Sequence, residues 1–400
     1  MTADSAETLQ ITRTCPYAPP EQHLRFLREQ PVVKVALPRG SAAWVTARYE
    51  DIRTVLSDPR FTADRRHPSA PRLNGETGPG ESPFPKTMLE MDPPEHGQAR
   101  RAVVGEFTVR RMAALRPRIQ QIVDEHLDAM LAGPRPVDLV RALALPVPSL
   151  VICELLGVPY DDHDFFQTHS AQLLNRTITQ QERQHASLEL AIYLDKLIRA
   201  KEDDPTDDLL GRQVIKQRET GAVDRGTLLS LAFLLLIAGH ETTANMISLG
   251  TYMLLRHPDA LAALREDPAK APGAVEELLR HFTIAEFAMA RVALEDVELG
   301  GTVIPAGEGV LMLANAGNRD PEVFADADAF DIERDARSHL AFGYGPHQCL
   351  GQNLARVELE IVFNTLFRRI PGLRLAVPAE QLEFKDDATV YGMHELPVTW

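Results

Sequence analysis

The sequence predicts a mainly α, single-domain protein with minor β. Three observations carry that expectation. Helical patterning runs almost without a break from Pro94 to about Lys216, a further long helix is written between Asp224 and Arg256, and strand-like alternation is confined to a few short stretches. No flexible linker divides the 400 residues and no internal repeat is visible.

Taken in order, residues 1–13 read as a disordered tail, with neither a basic region nor an apolar core of a secretory leader. The segments "PVVKVALP" and "AAWVTARY" alternate as two short strands, and "YEDIRTVLSD" follows as a helix. His67–Pro85 is rich in proline and glycine and cannot be a regular element. It is a long loop, of the kind that is usually functional. Helices are predicted at Glu95–Phe107, Val109–Ala132, Leu143–Leu156, Asp162–Leu174 and Gln181–Ala200, after which "KEDDPTDD" marks an exposed turn. Asp224 is the N-cap of the long helix and His257-Pro258 ends it. "APGAVEELLRHF" is another helix. Short strands return around Arg291–Leu299 and Val310–Leu313, punctuated by Gly300-Gly301 and by Pro305-Ala306-Gly307.

Composition narrows the function classes. Hydrophobic residues make up 44% and charged residues 25%, as in ordinary soluble proteins. A net charge of −15 speaks against nucleic acid as a partner. Cys15, Cys153 and Cys349 form no CxxC pair, which argues against a zinc ribbon or a disulfide framework and suits a reducing cytoplasm. The longest apolar run, Leu231 to Ala238, is broken by Gly239 and falls far short of the roughly 20 residues a membrane anchor needs. A soluble, cytoplasmic monomer is expected.

The most informative stretch is "AFGYGPHQCLGQNLAR", Ala341–Arg356. Gly343 and Gly345 permit backbone conformations and close approaches that a β-carbon blocks, and Gly351 does the same beyond the cysteine. A helix starting near Leu350 would set its positive end against Cys349 and favour thiolate. On the residues alone three readings stay open: a buried free cysteine, a nucleophile, or a thiolate ligand of haem iron. The pattern Phe342-Gly343-x-Gly345-x-His347-x-Cys349-x-Gly351 resembles the signature loop of the cytochrome P-450 family, the haem-thiolate monooxygenases, with every fixed position filled. The resemblance implies haem b as cofactor and Cys349 as the ligand of its iron.

It also implies roles elsewhere. In "LLLIAGHETTANM", Ala238 and Gly239 would leave room for dioxygen and substrate. The hydroxyl of Thr242 can bond back to the carbonyl of Ala238 and open the helix locally. Thr242 would then serve oxygen activation while Glu241 relays protons. His240-Glu241 also begins the HExxH pattern of zinc proteases, but Ala244 stands where the second histidine is required. In "EELLR", Glu277 and Arg280 resemble the family's ExxR pair, which braces the cysteine loop. Its usual third member, an arginine, is replaced by Ala329 in "DADAF", leaving Arg334 or His339 as substitutes.

His96 and Arg100 in "MDPPEHGQAR", together with Arg291 and His347, match the family's donors to the haem propionates. The likeness runs from about Thr14 to Trp400. It lies nearest the soluble bacterial members that tailor secondary metabolites or oxidise bulky apolar compounds. Such enzymes take electrons from NAD(P)H through a ferredoxin reductase and a ferredoxin. The arginine-rich segment Ala99–Arg118 holds one acid, Glu106, and its Arg110 and Arg111 are the candidate docking patch. By position in the family, Leu173, Leu174, Leu235, Ile284, Phe287, Val390 and Met393 would line a pocket for a large, largely apolar substrate, under a lid made by the 67–85 loop and the turn near Thr177–Gln180. Two other readings stay in play: a peroxide-using peroxygenase, against which Glu241-Thr242 speaks, and a non-catalytic haem-binding sensor or carrier.

Overall fold

Helices build the body of the molecule and three small sheets lie at its margins. The computed structural model describes residues 7–38, 41–73 and 85–400. Its axis is the helix Arg225–Arg256, capped by Asp224, whose carboxylate accepts the N–H of Thr227 at 3.1 Å. A cap of this kind is worth about 1 kcal/mol. Twenty of its side chains are buried, and it packs against the helices Pro146–Leu156, Gln180–Asp203, Ala271–Phe282 and Gln352–Arg369. Close approach is bought by glycine: a β-carbon on Gly239 would lie 2.8 Å from Ile152, and one on Gly250 would lie 2.4 Å from the ring of Phe363. By length and composition this helix could cross a membrane, but 56% of its most apolar window is buried inside the protein, as befits a core helix.

The largest sheet has five strands in the order Val32–Ala36, Ala42–Thr46, Gly309–Met312, Ala290–Ala293, Phe61–Thr62. Arg291 pairs with Val310, which also pairs in parallel with Trp44, so the arginine is fixed on an interior strand. A three-stranded sheet (Val137–Asp138, Pro397–Thr399, Arg374–Leu375) and the hairpin Val297–Leu299 with Thr302–Ile304 complete the β-structure.

Most predicted elements recur with shifted ends. The segment expected as the helix Leu143–Leu156 is a π-turn over Val140–Ala144 followed by a helix from Pro146, because Pro146 and Pro148 lack the N–H groups an uninterrupted helix needs. The helix from Glu95 ends at Val103 and tightens to a 3-10 turn through Phe107.

The expected tail needs correction. Residues 7–13 are docked: the N–H of Leu9 donates to Ala36 at 2.8 Å, Leu9 is 2% exposed, and Arg13 donates to Glu286 at 2.6 Å. The N–H of Ala36 donates back to Glu7 at 2.9 Å and Arg13 also donates to the carbonyl of Phe282 at 2.6 Å, so backbone pairing and a buried ion pair both hold it. Of the expected lid, residues 74–84 lie outside the described residues, as do residues 1–6 of the tail.

Candidate active site

The cysteine loop is shaped by its glycines. Gly343 and Gly345 have φ of +70° and +71°, and a β-carbon on Gly345 would stand 2.9 Å from the carbonyl of Leu56. Gly351 is different: its φ is −81° and a β-carbon there would meet nothing within 4 Å. Its smallness leaves open space beside the sulfur and is not required by the backbone. The N–H of Cys349 donates to Phe342 at 2.8 Å and closes the loop.

Burial pushes the Cys349 thiol above its ordinary range, while the N–H groups of Gly351 and Gln352 and the guanidinium groups of Arg100 and Arg356 pull the other way. The start of the helix thus favours thiolate, as expected from sequence, while burial opposes it.

Four side chains capable of positive charge converge nearby. His96 and Arg100 share one face of the helix Glu95–Val103, His347 comes from the loop, and Arg291 from the sheet. The rings of His96 and His347 stack with centroids 4.1 Å apart. Arg100 donates to the carbonyl of Gln348 at 2.7 Å. Burial, reinforced by Arg291, His96 and Arg100, drives His347 down to about 3. Burial and Arg65 bring Arg291 down to about 10. His96 is lowered as well, and its buried Nε2 has no partner.

Asp92 is the nearest counter-charge, and its carboxylate is already taken by Thr62 and by the N–H of Ala63. Among the described residues, such a group of donors lacks a free anion. Two carboxylates beside a metal-bound sulfur would answer it, so the donor set fits haem.

Beneath the loop, Glu277 and Arg280 are wholly buried and joined by two hydrogen bonds of 2.7 Å. Arg280 also donates to the carbonyls of Asn318, Ala327 and Ala329. The third member is Arg334, whose Nε lies 3.4 Å from Glu277 Oε1, so the arginine has moved five residues downstream of the family position. His339 does not substitute. It serves a second network that sequence reasoning missed, in which Glu276 accepts from His339 at 3.0 Å and from Arg356. Burial opposes ionisation of Glu276, yet these donors hold its carboxyl down to about 2. The signal was present in the doubled acid of "EELLR" and in Arg356 just past the loop.

On the long helix, the Thr242 hydroxyl donates to the carbonyl of Ala238 at 2.7 Å, as expected. Ala238 and Thr242 stay accessible, although the next two turns are buried. Glu241 is 6% exposed and pairs with Lys385 at 3.2 Å; Lys385 also donates to Asn245 at 3.1 Å. Lys385 was missed because 144 residues separate it from Glu241.

Gly239 does not face the same side as Ala238. It faces Ile152, and its role is helix packing. Of the pocket residues, Ile284 and Phe287 line clefts; Leu235, Ile284, Val390 and Met393 are buried in the main hydrophobic core, and Leu173 and Leu174 pack against it partly buried. The arginine patch is also smaller than expected. Arg111 pairs with Glu106 at 3.0 Å, Arg116 with Glu360 and Arg118 with Glu154, while Arg101 and Arg110 have no ion-pair partner among the described residues.

A glycine-shaped cysteine loop, a buried ExxR pair and a long helix with a hydroxyl bonded back to its own turn together fit a haem-thiolate protein. Residues 164–397 match the family described as Cytochrome P450. Pentalenic acid synthase of Streptomyces avermitilis is 52% identical over 97% of this chain and 96% of that protein. Vitamin D3 dihydroxylase of Streptomyces griseolus is 48% identical over 99% and 100% of the respective chains. The crystal structure of cytochrome P450 MoxA from Nonomuraea recticatena, 56% identical, superposes with a TM-score of 0.92 over 98% of both chains. The chain belongs to the cytochrome P450 family and is a monooxygenase of the bacterial type.

Proposed function

We propose that the protein inserts one oxygen atom from dioxygen into a bulky small molecule of secondary metabolism, by hydroxylation or epoxidation. Relatives named for pentalenic acid and vitamin D3 support a substrate of that size. The observation that carries the reading is the convergence of His96, Arg100, Arg291 and His347, without a free carboxylate among the described residues, beside Cys349. Cys349 would hold the iron through its thiolate, and the four donors would hold the propionates. Haem, when bound, supplies the activation of dioxygen.

The protein's own residues do the rest. Ala238, small and exposed on the long helix, would leave room for dioxygen and substrate. Thr242, resting on the Ala238 carbonyl, turns its hydroxyl to donate a proton where oxygen is handled. Glu241 passes protons to it after leaving Lys385. Electrons would come from NAD(P)H through a ferredoxin reductase and a ferredoxin docking near the exposed Arg110, with the protein acting as a cytoplasmic monomer.

The decisive test is the reduced carbon monoxide complex. The wild type should give the strongly red-shifted Soret band of thiolate ligation, and Cys349→Ala should lose it. A histidine-type spectrum in the wild type would refute the reading.

A further inference from the structure

Two neighbouring clefts open on the molecule, and Arg176, Phe287 and Thr389 line both. Arg176 follows the helix His163–Leu174 and is 9% exposed. Its backbone N–H donates to Asp387 at 2.6 Å and one terminal nitrogen donates to the carbonyl of Asp386. Its Nε is buried with no hydrogen-bond partner. The guanidinium has no ion-pair partner among the described residues. Three carboxylates act on it without forming an ion pair: Glu286, which is held by Arg13 at 2.6 Å, Asp386, which lines the second cleft, and Asp387, 3.5 Å from His394. A buried cation with an unused donor is costly unless something meets it.

The cleft is otherwise ready for an amphiphile. Arg65 adds positive charge to the wall that Arg176 shares, Arg291 there being assigned to the propionates, and the one acid lining it among the described residues, Asp64, is committed to Lys86 at 2.7 Å and to the N–H of Arg66 at 2.9 Å. Leu73, Phe287 and Leu311 supply apolar surface. Burial pulls the Arg176 guanidinium below its ordinary range, against the opposing pull of Glu286, Asp386 and Asp387.

We propose that Arg176 is a specificity residue that receives a carboxylate on an otherwise apolar substrate. The planar fork of arginine suits a carboxylate, and the apolar wall suits the rest of the molecule. This sharpens the expectation of a largely apolar substrate and rests on the monooxygenase reading above.

The test uses the haem-loaded protein and two probes of the same shape, 1-adamantanecarboxylate and its methyl ester. Binding is followed by the Soret shift and, independently, by calorimetry. The wild type should bind the acid at least about 10-fold more tightly than the ester, as a charge-assisted hydrogen bond implies. Arg176→Gln should bring the acid down to the ester's level, and Arg176→Lys should retain an intermediate preference. Absence of an acid preference in the wild type, or equal acid affinity in wild type and Arg176→Gln, overturns the proposal. Where Arg176→Gln yields no folded protein, the wild-type ratio and Arg176→Lys decide. Loss of the thiolate carbon monoxide band would sink the monooxygenase reading, while the calorimetric ratio would still judge Arg176.

Discussion

Two sets of buried charges around the proposed cofactor site are treated in opposite ways. Below the cysteine loop, Glu277 and Arg280 are wholly buried, and Arg280 donates to three backbone carbonyls besides its carboxylate partner. Glu276 is likewise met by both His339 and Arg356. In the other set, His240 has a buried Nε2 without a partner, the Nε of Arg176 is unmet, and Glu241 is held by a single lysine at 3.2 Å. Saturated polar groups fix a geometry, because every alternative arrangement loses hydrogen bonds. Groups left with capacity can bind something or move a proton. The first set is built to stay still and the second to work.

The sharpest way to break this contrast is to remove a saturated partner. Arg280→Ala leaves the buried Glu277 with only the N–H of Asp331 at 3.0 Å and the longer 3.4 Å contact of Arg334, at a cost of up to about 3–5 kcal/mol. That is a large share of a domain's stability, so little folded, haem-loaded protein should be recovered. Normal yield and haem content would show that saturation there is incidental.

A working residue should fail differently. Thr242→Ala should fold, bind haem and keep its substrate spectrum, while productive turnover drops by about 10²-fold, the lower end of what general acid assistance contributes. The measurement is product formed per NAD(P)H consumed, with peroxide as the counterpart. An unchanged ratio would remove Thr242 from the chemistry.

Glu276 gives the comparison a pH axis. Its carboxyl is held down to about 2 in the fold against an ordinary 4.5, so its stabilisation is complete above 4.5 and is lost as pH falls from there towards 2. Acid unfolding of the wild type should steepen across that window. Glu276→Gln should flatten the slope, the difference being about 1–3 kcal/mol after allowance for partial solvent screening. Parallel acid-unfolding curves would contradict the assignment.

The smallest effect is expected at the surface. Arg110 is exposed and has no ion-pair partner among the described residues, whereas Arg111 is engaged by Glu106. Arg110→Glu should therefore slow reduction by a ferredoxin more than Arg111→Glu does. Both effects should fade with salt, since exposed charges are screened beyond about 8 Å at physiological ionic strength. Stopped-flow reduction across a salt series reads this, and identical rates and slopes for all three proteins would leave the patch a solvated helix face.

The chain's own text was enough for the helices, the cysteine loop and the back-bonded Thr242. Each depends on residues close in sequence: a cap at Asp224, glycines at 343 and 345, a hydroxyl four positions after Ala238. Local spacing sets these because helix and turn geometry repeat over a few residues. What packing alone decided lies at long range. Lys385 meets Glu241 across 144 residues, and Arg334 replaces the missing arginine at 329 because its side chain reaches Glu277 from a different turn. Gly239 points to Ile152, and Leu9 docks on Ala36. Val390 and Met393 sank into the core, and a buried Arg176 came to the cleft where an apolar wall was expected. Which side of a helix meets a neighbour, and which charge is left without a partner, follows from how whole elements cross, and no local pattern of residues records that.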